Sequence, residues 1–377
     1  MKDRTEVAVY YYPNYHPDAR NDRWHGKGWT EWELMKRAEP RFEGHNQPKL
    51  PLWGYEDESN PEVMARKIDA AADHGVSAFI FDWYWYEDGP FLQRGLEEGF
   101  LQAENADRLK FSLMWANHDW IDIHPLARSL QPATLASGTV SEKAFIEATD
   151  HMIRRYFAHP SYWRVKDGLY FSIYELMNLV KGFGGIEETK RILADFRERV
   201  RAAGLGELHL NAVVWGVQIL PGEKRIEDPN ELLNELAFDS VTSYVWLHHV
   251  GLPEFPQTDY GWWSDQAIAR MKELADEFRL PYFPNVTMGW DTSPRTVQSD
   301  KYEPIGYQYM ATVSENTPAR FEEALRRTKA LIESKEDNPQ IVTINAWNEW
   351  TEGSYLEPDT VNGTAYLEAV KAVFGSK

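Results

Sequence analysis

Eight short apolar runs, rich in β-branched and aromatic residues, alternate with amphipathic stretches along this chain. That rhythm constrains the fold more than any other feature. The runs are residues 7–12, 76–83, 110–117, 169–175, 208–215, 238–244, 282–288 and 341–347. Helical periodicity occupies residues 61–75, closed by Gly75 as a C-terminal cap. It recurs at 91–109, 141–158, 186–203, 264–278 and 318–334, and a last helix is expected at 364–374. Between runs five and six the segment LPGEKRIEDPNELLNELA predicts only one short helix, 230–236, and is the least regular unit.

Parallel strands need crossover helices, so eight strand–helix units predict a (β/α)8 barrel of the α/β class. The runs are nearly all apolar rather than alternating, as strands covered on both faces should be. A doubly wound open sheet competes, but it calls for a glycine-rich phosphate turn after an early strand, and none is present. Gly26-Lys27-Gly28 lacks that strand–loop–helix setting. With no linker, low-complexity tract or repeat, residues 1–377 are expected to form one catalytic domain with enlarged βα loops.

Charge and composition narrow the function. The chain carries 59 acidic and 40 basic residues, a formal charge of −19, which disfavours phosphate backbones and hence nucleic acid. At 43% hydrophobic it can bury a large core, yet no run of 18 apolar residues predicts a membrane span. No cysteine is present, so disulfides and thiolate metal sites are excluded. No serine sits in a strand–GxSxG–helix setting. The opening MKDRTEVAVYYYP has no apolar leader core with a cleavage site. It reads as a first strand and implies a cytoplasmic protein, or an exported one whose signal has been removed. Oligomeric state does not follow from the sequence.

In such a barrel the chemistry lies at the C-terminal strand ends. Run one ends in Tyr11, Tyr12, Tyr15 and His16, and run two in Asp82, Trp83 and Trp85. Run three ends in Trp115, Asn117, His118, Asp119 and Trp120, and run four in Tyr174 and Glu175. Then come Trp215, Tyr244 with Trp246, and Trp290 with Asp291. Run eight ends in Asn345, Trp347, Asn348, Glu349, Trp350 and Glu352. A single tryptophan at a strand end is ordinary core. An aromatic beside a carboxylate, amide or imidazole at nearly every end fits sugars, whose C–H faces meet flat rings and whose hydroxyls meet polar groups.

The sharpest local signal is NAWNEWTEGSYLE, residues 345–357. Glycoside hydrolysis commonly uses two carboxyls, one acid and one base or nucleophile. Glu349 and Glu352 would face opposite ways in a strand, but a turn permitted by Gly353 makes them neighbours. Two close carboxyls push their pKa values apart. A capped turn with solvated acids fits the spacing equally well. His118, Asp119, Asp122 and His124 have alternating metal-ligand chemistry, but a substrate-binding or capping loop is the favoured reading. No metal or cofactor is expected.

These segments resemble glycoside hydrolase family 99, the endo-α-mannosidases and endomannanases. NEWTEG is similar to the NEWxEG segment of that family, and YYYPNYH to its first-strand YYPWY. The chain is more similar still to the wider family-99-like group often labelled WbsX or lipopolysaccharide-biosynthesis proteins. The shared segments are GKGWTEW (26–32), GHNQPKLP (44–51), WAN (115–117) and NAWNEWTEGSYLEPD (345–359). The resemblance runs from about residue 7 to the end of the chain. It implies a (β/α)8 barrel and an enzyme acting on an α-linked, mannose-like poly- or oligosaccharide. It implies Glu349 as base on the sugar 2-hydroxyl and Glu352 as general acid, then base, through a 1,2-anhydro sugar with retention. Trp29 and Asn348 join the expected sugar contacts, with Trp350 beside them. The chain departs from family 99 at Thr351, where that family has His, and at PNYHPD in place of PWYG. The WbsX label suggests an alternative, a transferase or transglycosylase of surface-polysaccharide synthesis; a barrel that binds sugar without cleaving it is the third reading.

Overall fold

The computed structural model describes residues 4–216, 219, 226 and 228–375. All eight runs form parallel strands: β1 Glu6–Tyr11, β2 Ala78–Tyr86, β3 Lys110–Trp115, β4 Gly168–Ile173, β5 Leu208–Val213, β6 Ser240–Thr242, a split β7, and β8 Ile341–Asn345. Each pairs with the next in sequence, and β1 pairs with both β2 and β8 through Val9, opposite Phe79 and Ile344. β7 is broken at Pro284 into Tyr282–Phe283, on β6, and Asn285–Thr287, on β8. Proline cannot donate to a ladder, so the two halves serve different neighbours and close the barrel between them.

Crossover helices follow where the periodicity put them, within a few residues. They are α1 Pro61–Asp73, α2 Glu142–Arg155, α3 Ile186–Ala202, α4 Pro229–Glu235, α5 Tyr260–Glu277, α6 Pro318–Glu333 and α7 Ala365–Phe374. Asn60, Ser141, Asp259 and Thr317 cap their helices by accepting backbone N–H bonds, and Pro61 and Pro318 sit in the first turn. Gly75 follows α1 at φ 88°. In the irregular connection before β6, residues 220–225 and 227 lie outside the described residues.

The expected helix 91–109 is a correction. This segment forms three short turns, Gly95–Gly99, Phe100–Gln102 and Ala106–Arg108. A Cβ on Gly99 would lie 2.2 Å from the Glu58 carbonyl. The backbone of a neighbouring loop passes that close, and glycines at 95 and 99 weaken a regular helix.

Alternation along the strands decides what faces the barrel axis. The axis carries small polar groups and tyrosines rather than the aliphatic layers common in such barrels. Ser172 donates to Asn211 and Asn211 to Ser240, both at 2.8 Å, and Asn285 donates to Thr343 at 3.1 Å. The outward residues pack on helices: Trp83 and Trp85 stack on each other and reach Tyr156 and His151 beside α2.

Candidate active site

The C-terminal strand ends enclose a pocket of about 660 Å³. Glu349 and Glu352 stand on one side, past β8, on the turn Trp350–Glu352. Gly353 ends that turn at φ 65°, and a Cβ there would lie 2.7 Å from the Asp291 Cβ. Only glycine suits both the conformation and the space.

Arg295 joins the two acids. It comes from the loop after β7, in the turn Ser293–Arg295, and is 4% exposed. Its Nη1 donates to Glu352 and, at 2.9 Å, to Tyr307. Its Nη2 donates to Glu349 at 3.3 Å, and its Nε to Glu31 at 2.9 Å. Tyr307 Oη donates to Glu352 at 2.8 Å, and Tyr244 Oη lies 2.9 Å from Asp82 and 3.3 Å from Glu349.

The charges in this cluster are unequal. Burial alone would lift Glu31, but Arg295, His124 and hydrogen bonds from Thr351 and Tyr12 hold it down at about 2. Glu31 is therefore an anion and neutralises much of Arg295. Burial, then the charge of Glu352, lifts Glu349 well above the usual carboxylate range against the opposing pull of Arg295. Burial lifts Asp82 likewise, opposed by the Tyr244 hydrogen bond. His118 and His124 are pushed down by burial, His124 to about 3, so both are neutral near pH 7. Glu349 thus holds its proton more tightly than an ordinary carboxyl.

Tyr12, Asp82, His118, Tyr174, Tyr244, Trp290, Glu349 and Glu352, all expected at the site, line this pocket. Others do not. Tyr15 packs on Trp32, and the ring nitrogens of His16 lie against the Pro17 and Leu92 carbonyls. Trp83, Trp85 and Trp115 are odd-numbered neighbours of inward residues, so they point at helices; Trp115 stacks on Phe145. Asn117 exchanges hydrogen bonds with the Glu175 backbone, and Glu175 caps the helix Leu176–Phe183. Trp215 is half-buried against Tyr174 in an adjoining cavity. Asn348 ties Tyr12 to the β8 loop. Trp350 stacks on Tyr355 at 3.7 Å and donates to Glu357. Trp29 is half-buried outside the lining, 5.7 Å from His124.

Of the possible metal-binding loop, His118, Asp119 and His124 reach the pocket and Asp122 is exposed. His124 stacks on Trp120, and Asp119 accepts from the Gly138 N–H. Among the described residues no group of three or more His, Asp or Glu could hold a metal ion, and no helix is long and apolar enough to cross a membrane.

Sequence reading missed Arg295, Tyr307, Tyr84 and Glu31. Glu31 had a signal, since it lies in GKGWTEW. Arg295 and Tyr307 had none, because they sit in a long loop between β7 and α6 whose path is set by tertiary packing.

The chain belongs to the family described as glycosyltransferase WbsX, whose model matches residues 7–370. It is 31% identical over 376 residues to an uncharacterized protein WxcX of Xanthomonas campestris pv. campestris strain B100, covering 97% of this chain and 49% of that protein. The chain spans about half the length of the curated relatives it matches. Among solved structures it resembles a GH99 endo-alpha-mannosidase from Bacteroides thetaiotaomicron in complex with bis-tris-propane, with TM-score 0.61 and 14% identity, covering 99% of this chain and 96% of that one. It also resembles a glycoside hydrolase-like protein, with TM-score 0.62 and 16% identity over 100% and 95% of the two chains. At such identities the likeness shows the fold: a TIM barrel of the kind glycoside hydrolases use.

Proposed function

We propose that this WbsX-family chain is a glycoside hydrolase that cleaves an α-linked, mannose-like bond in a poly- or oligosaccharide. The observation that carries this reading is the buried Glu349–Glu352 pair on one guanidinium, at the wall of an aromatic-lined pocket. Tyr12, Tyr84, Trp120, Tyr174, Tyr244 and Trp290 supply the rings that cover sugar C–H faces.

Retention through a 1,2-anhydro sugar fits the pair. Glu349 takes the proton of the 2-hydroxyl as O2 bonds to the anomeric carbon. The bond from that carbon to the leaving oxygen breaks, and Glu352 protonates the leaving oxygen. Water then attacks the anomeric carbon, gives its proton to Glu352, and the reopened O2 regains its proton from Glu349. In the free site burial and the charge of Glu352 raise the proton affinity of Glu349. A sugar hydroxyl donating to Glu349 favours its ionised form, so substrate binding lowers that affinity again. Each transfer by a positioned carboxyl contributes about 10²–10⁴-fold.

The family description favours a second reading, glycosyl transfer in surface-polysaccharide synthesis. A nucleotide sugar carries a diphosphate that needs free cations. Among the described pocket residues Arg295 is the one Arg or Lys, and its donors are committed to Glu31, Glu349, Glu352 and Tyr307.

The test is cleavage of a panel of α- and β-linked glycans, read by mass spectrometry, beside Glu349→Gln and Glu352→Gln. Cleavage of an α-linked glycan by wild type, with each variant reduced about 10²-fold or more, supports the reading. A variant with full activity overturns its assigned role. Nucleotide-sugar binding by calorimetry, without cleavage, replaces hydrolysis by transfer. Glycan binding without cleavage replaces it by a binding barrel.

A further inference from the structure

Two shared segments with no assigned task converge on Arg295. The first is GKGWTEW, which supplies Glu31. Its carboxylate accepts from Tyr12 at 2.6 Å, Asn14 at 2.7 Å, Thr351 and Arg295, and it is fully buried. A carboxylate with that many donors is rigid and ionised, and it fixes the guanidinium beside it.

The second is GHNQPKLP. His45 Nε2 lies 3.0 Å from the Asp291 carboxylate, and Gln47 donates to it at 2.8 Å. Asp291 in turn accepts the Ser293 N–H at 3.1 Å, at the start of the turn that carries Arg295. Its own backbone N–H donates to the Glu352 carbonyl. Asp291 thus ties the Arg295 turn, through its carboxylate, to the backbone of Glu352, through its own N–H.

We propose that Arg295 is the positioning residue of this site: anchored by Glu31 and by the His45–Gln47–Asp291 brace, it aims the Glu349 and Glu352 carboxyls and sets how many protons they share. Its catalytic consequence rests on the hydrolase reading, whereas its geometry does not. One cation faces three carboxylates. Glu31 claims much of its charge, so little of it is left to offset the raised proton affinity of Glu349. Among the described residues the other groups facing this cluster are Asp82, Tyr12, Tyr15, Tyr84, Tyr244 and Tyr307, with His118 and His124. Both histidines are neutral near pH 7, and burial raises all five tyrosines well above their usual range. Asp82, lifted by burial, is the remaining proton carrier that faces the pair.

The experiment uses Arg295→Met, Arg295→Lys and Glu31→Gln, with two readouts. The first is a potentiometric difference titration of the unliganded proteins between pH 4 and 9, which needs no activity. Arg295→Met should retain about one more bound proton near pH 7 than wild type, because both carboxyls lose their cation. Glu31→Gln should shift the pair the other way, toward release at lower pH, because Arg295 then serves the pair alone. The second is the pH profile of kcat/KM on a cleaved glycan. Arg295→Met should lose about 100-fold or more, chiefly in kcat, as misplaced catalytic groups do, with its profile moved to higher pH. Arg295→Lys should restore the profile but only part of the rate, since it keeps the charge without the planar fork.

A titration in which Arg295→Met and Glu31→Gln overlay wild type, with circular dichroism showing both folded, overturns the proposal. So does an Arg295→Met profile of lower height and unchanged midpoints. If wild type cleaves no glycan, the hydrolase reading fails while the titration still decides the role of Arg295. If Arg295→Met does not fold, Arg295→Lys and Glu31→Gln carry the same test.

Discussion

Two buried clusters in this molecule are built on the same plan, one cation facing an excess of carboxyls. One is Arg295 with Glu31, Glu349 and Glu352. The other is Lys67 on α1, whose Nζ lies 2.5 Å from both Glu58 and Glu357. The Lys67 cluster is closed. Trp347 and Trp350 donate to Glu357 at 2.9 and 2.7 Å, and Asn348 donates to Glu58 at 2.9 Å. Its task is mechanical, since it ties α1 and the residue-58 loop under the turn that bears the acid pair. The Arg295 cluster is open. Glu349 and Glu352 line the pocket, so part of their hydrogen-bonding capacity faces the cavity. Burial makes any unpaired charge costly. In one cluster the carboxyls are held mainly by protein donors, with only Glu58 Oε2 left without a partner; in the other they line a cavity.

The sharpest way to break this contrast is Lys67→Met. It leaves two carboxyls buried without their cation and should cost about 3–5 kcal/mol, seen as a lower urea midpoint at unchanged slope. A loss below about 1 kcal/mol would mean the cluster is not structural. Glu357→Gln comes next. An amide can accept from only one side, so one of two tryptophan N–H groups loses its partner, at about 1–3 kcal/mol. Urea unfolding measures it, and pocket activity should fall only as far as Trp350 moves.

Glu58→Gln is a pH experiment. Burial, against Lys67 and with Glu357, raises Glu58 from 4.5 to about 7. A raised carboxyl stabilises the fold fully below its unfolded value and loses that contribution as pH rises through about 7. The stability of wild type minus that of Glu58→Gln should therefore fall between about pH 4.5 and 7 and level above. Buried neutral histidines drive both proteins the other way, so the difference curve is the readout. A flat curve refutes the raised value.

The smallest effect has the opposite sign. Glu349 is raised for the same physical reason, so its neutral mimic Glu349→Gln should leave stability unchanged or raise it by up to about 1 kcal/mol at neutral pH, although it removes activity. A thermal melt of this variant beside Glu357→Gln separates the open cluster from the closed one. Equal losses in both would erase the distinction.

Much of the barrel was legible because its signals are local. Strand runs and capped helices such as those from Asn60 and Ser141 are written in consecutive residues. The helix expected at 91–109 failed because Gly99 answers to the Glu58 backbone, a contact no window of sequence displays. At the site, the acid pair was legible because a short turn joins its members. Trp83 and Trp115 were misjudged because position near a strand end does not say which way a side chain points. Period-two alternation does, and it sends Asp82 and Tyr84 inward and Trp83 and Trp85 outward.

The sequence by itself determined the strand–helix rhythm, the barrel class, the Glu349–Glu352 pair and the family. Local propensity and spacing suffice for the rhythm and the barrel class, while the pair and the family rest on the resemblance of whole segments such as NAWNEWTEGSYLEPD. Tertiary structure alone decided that Arg295, far from both glutamates in the chain, sits between them. It also decided that Glu31 holds Arg295 and that Lys67 lies sealed beneath the same turn. Burial and charge pairing are properties of three-dimensional neighbourhoods, and they turn like carboxyls into an anchor, a proton-sharing pair and a brace.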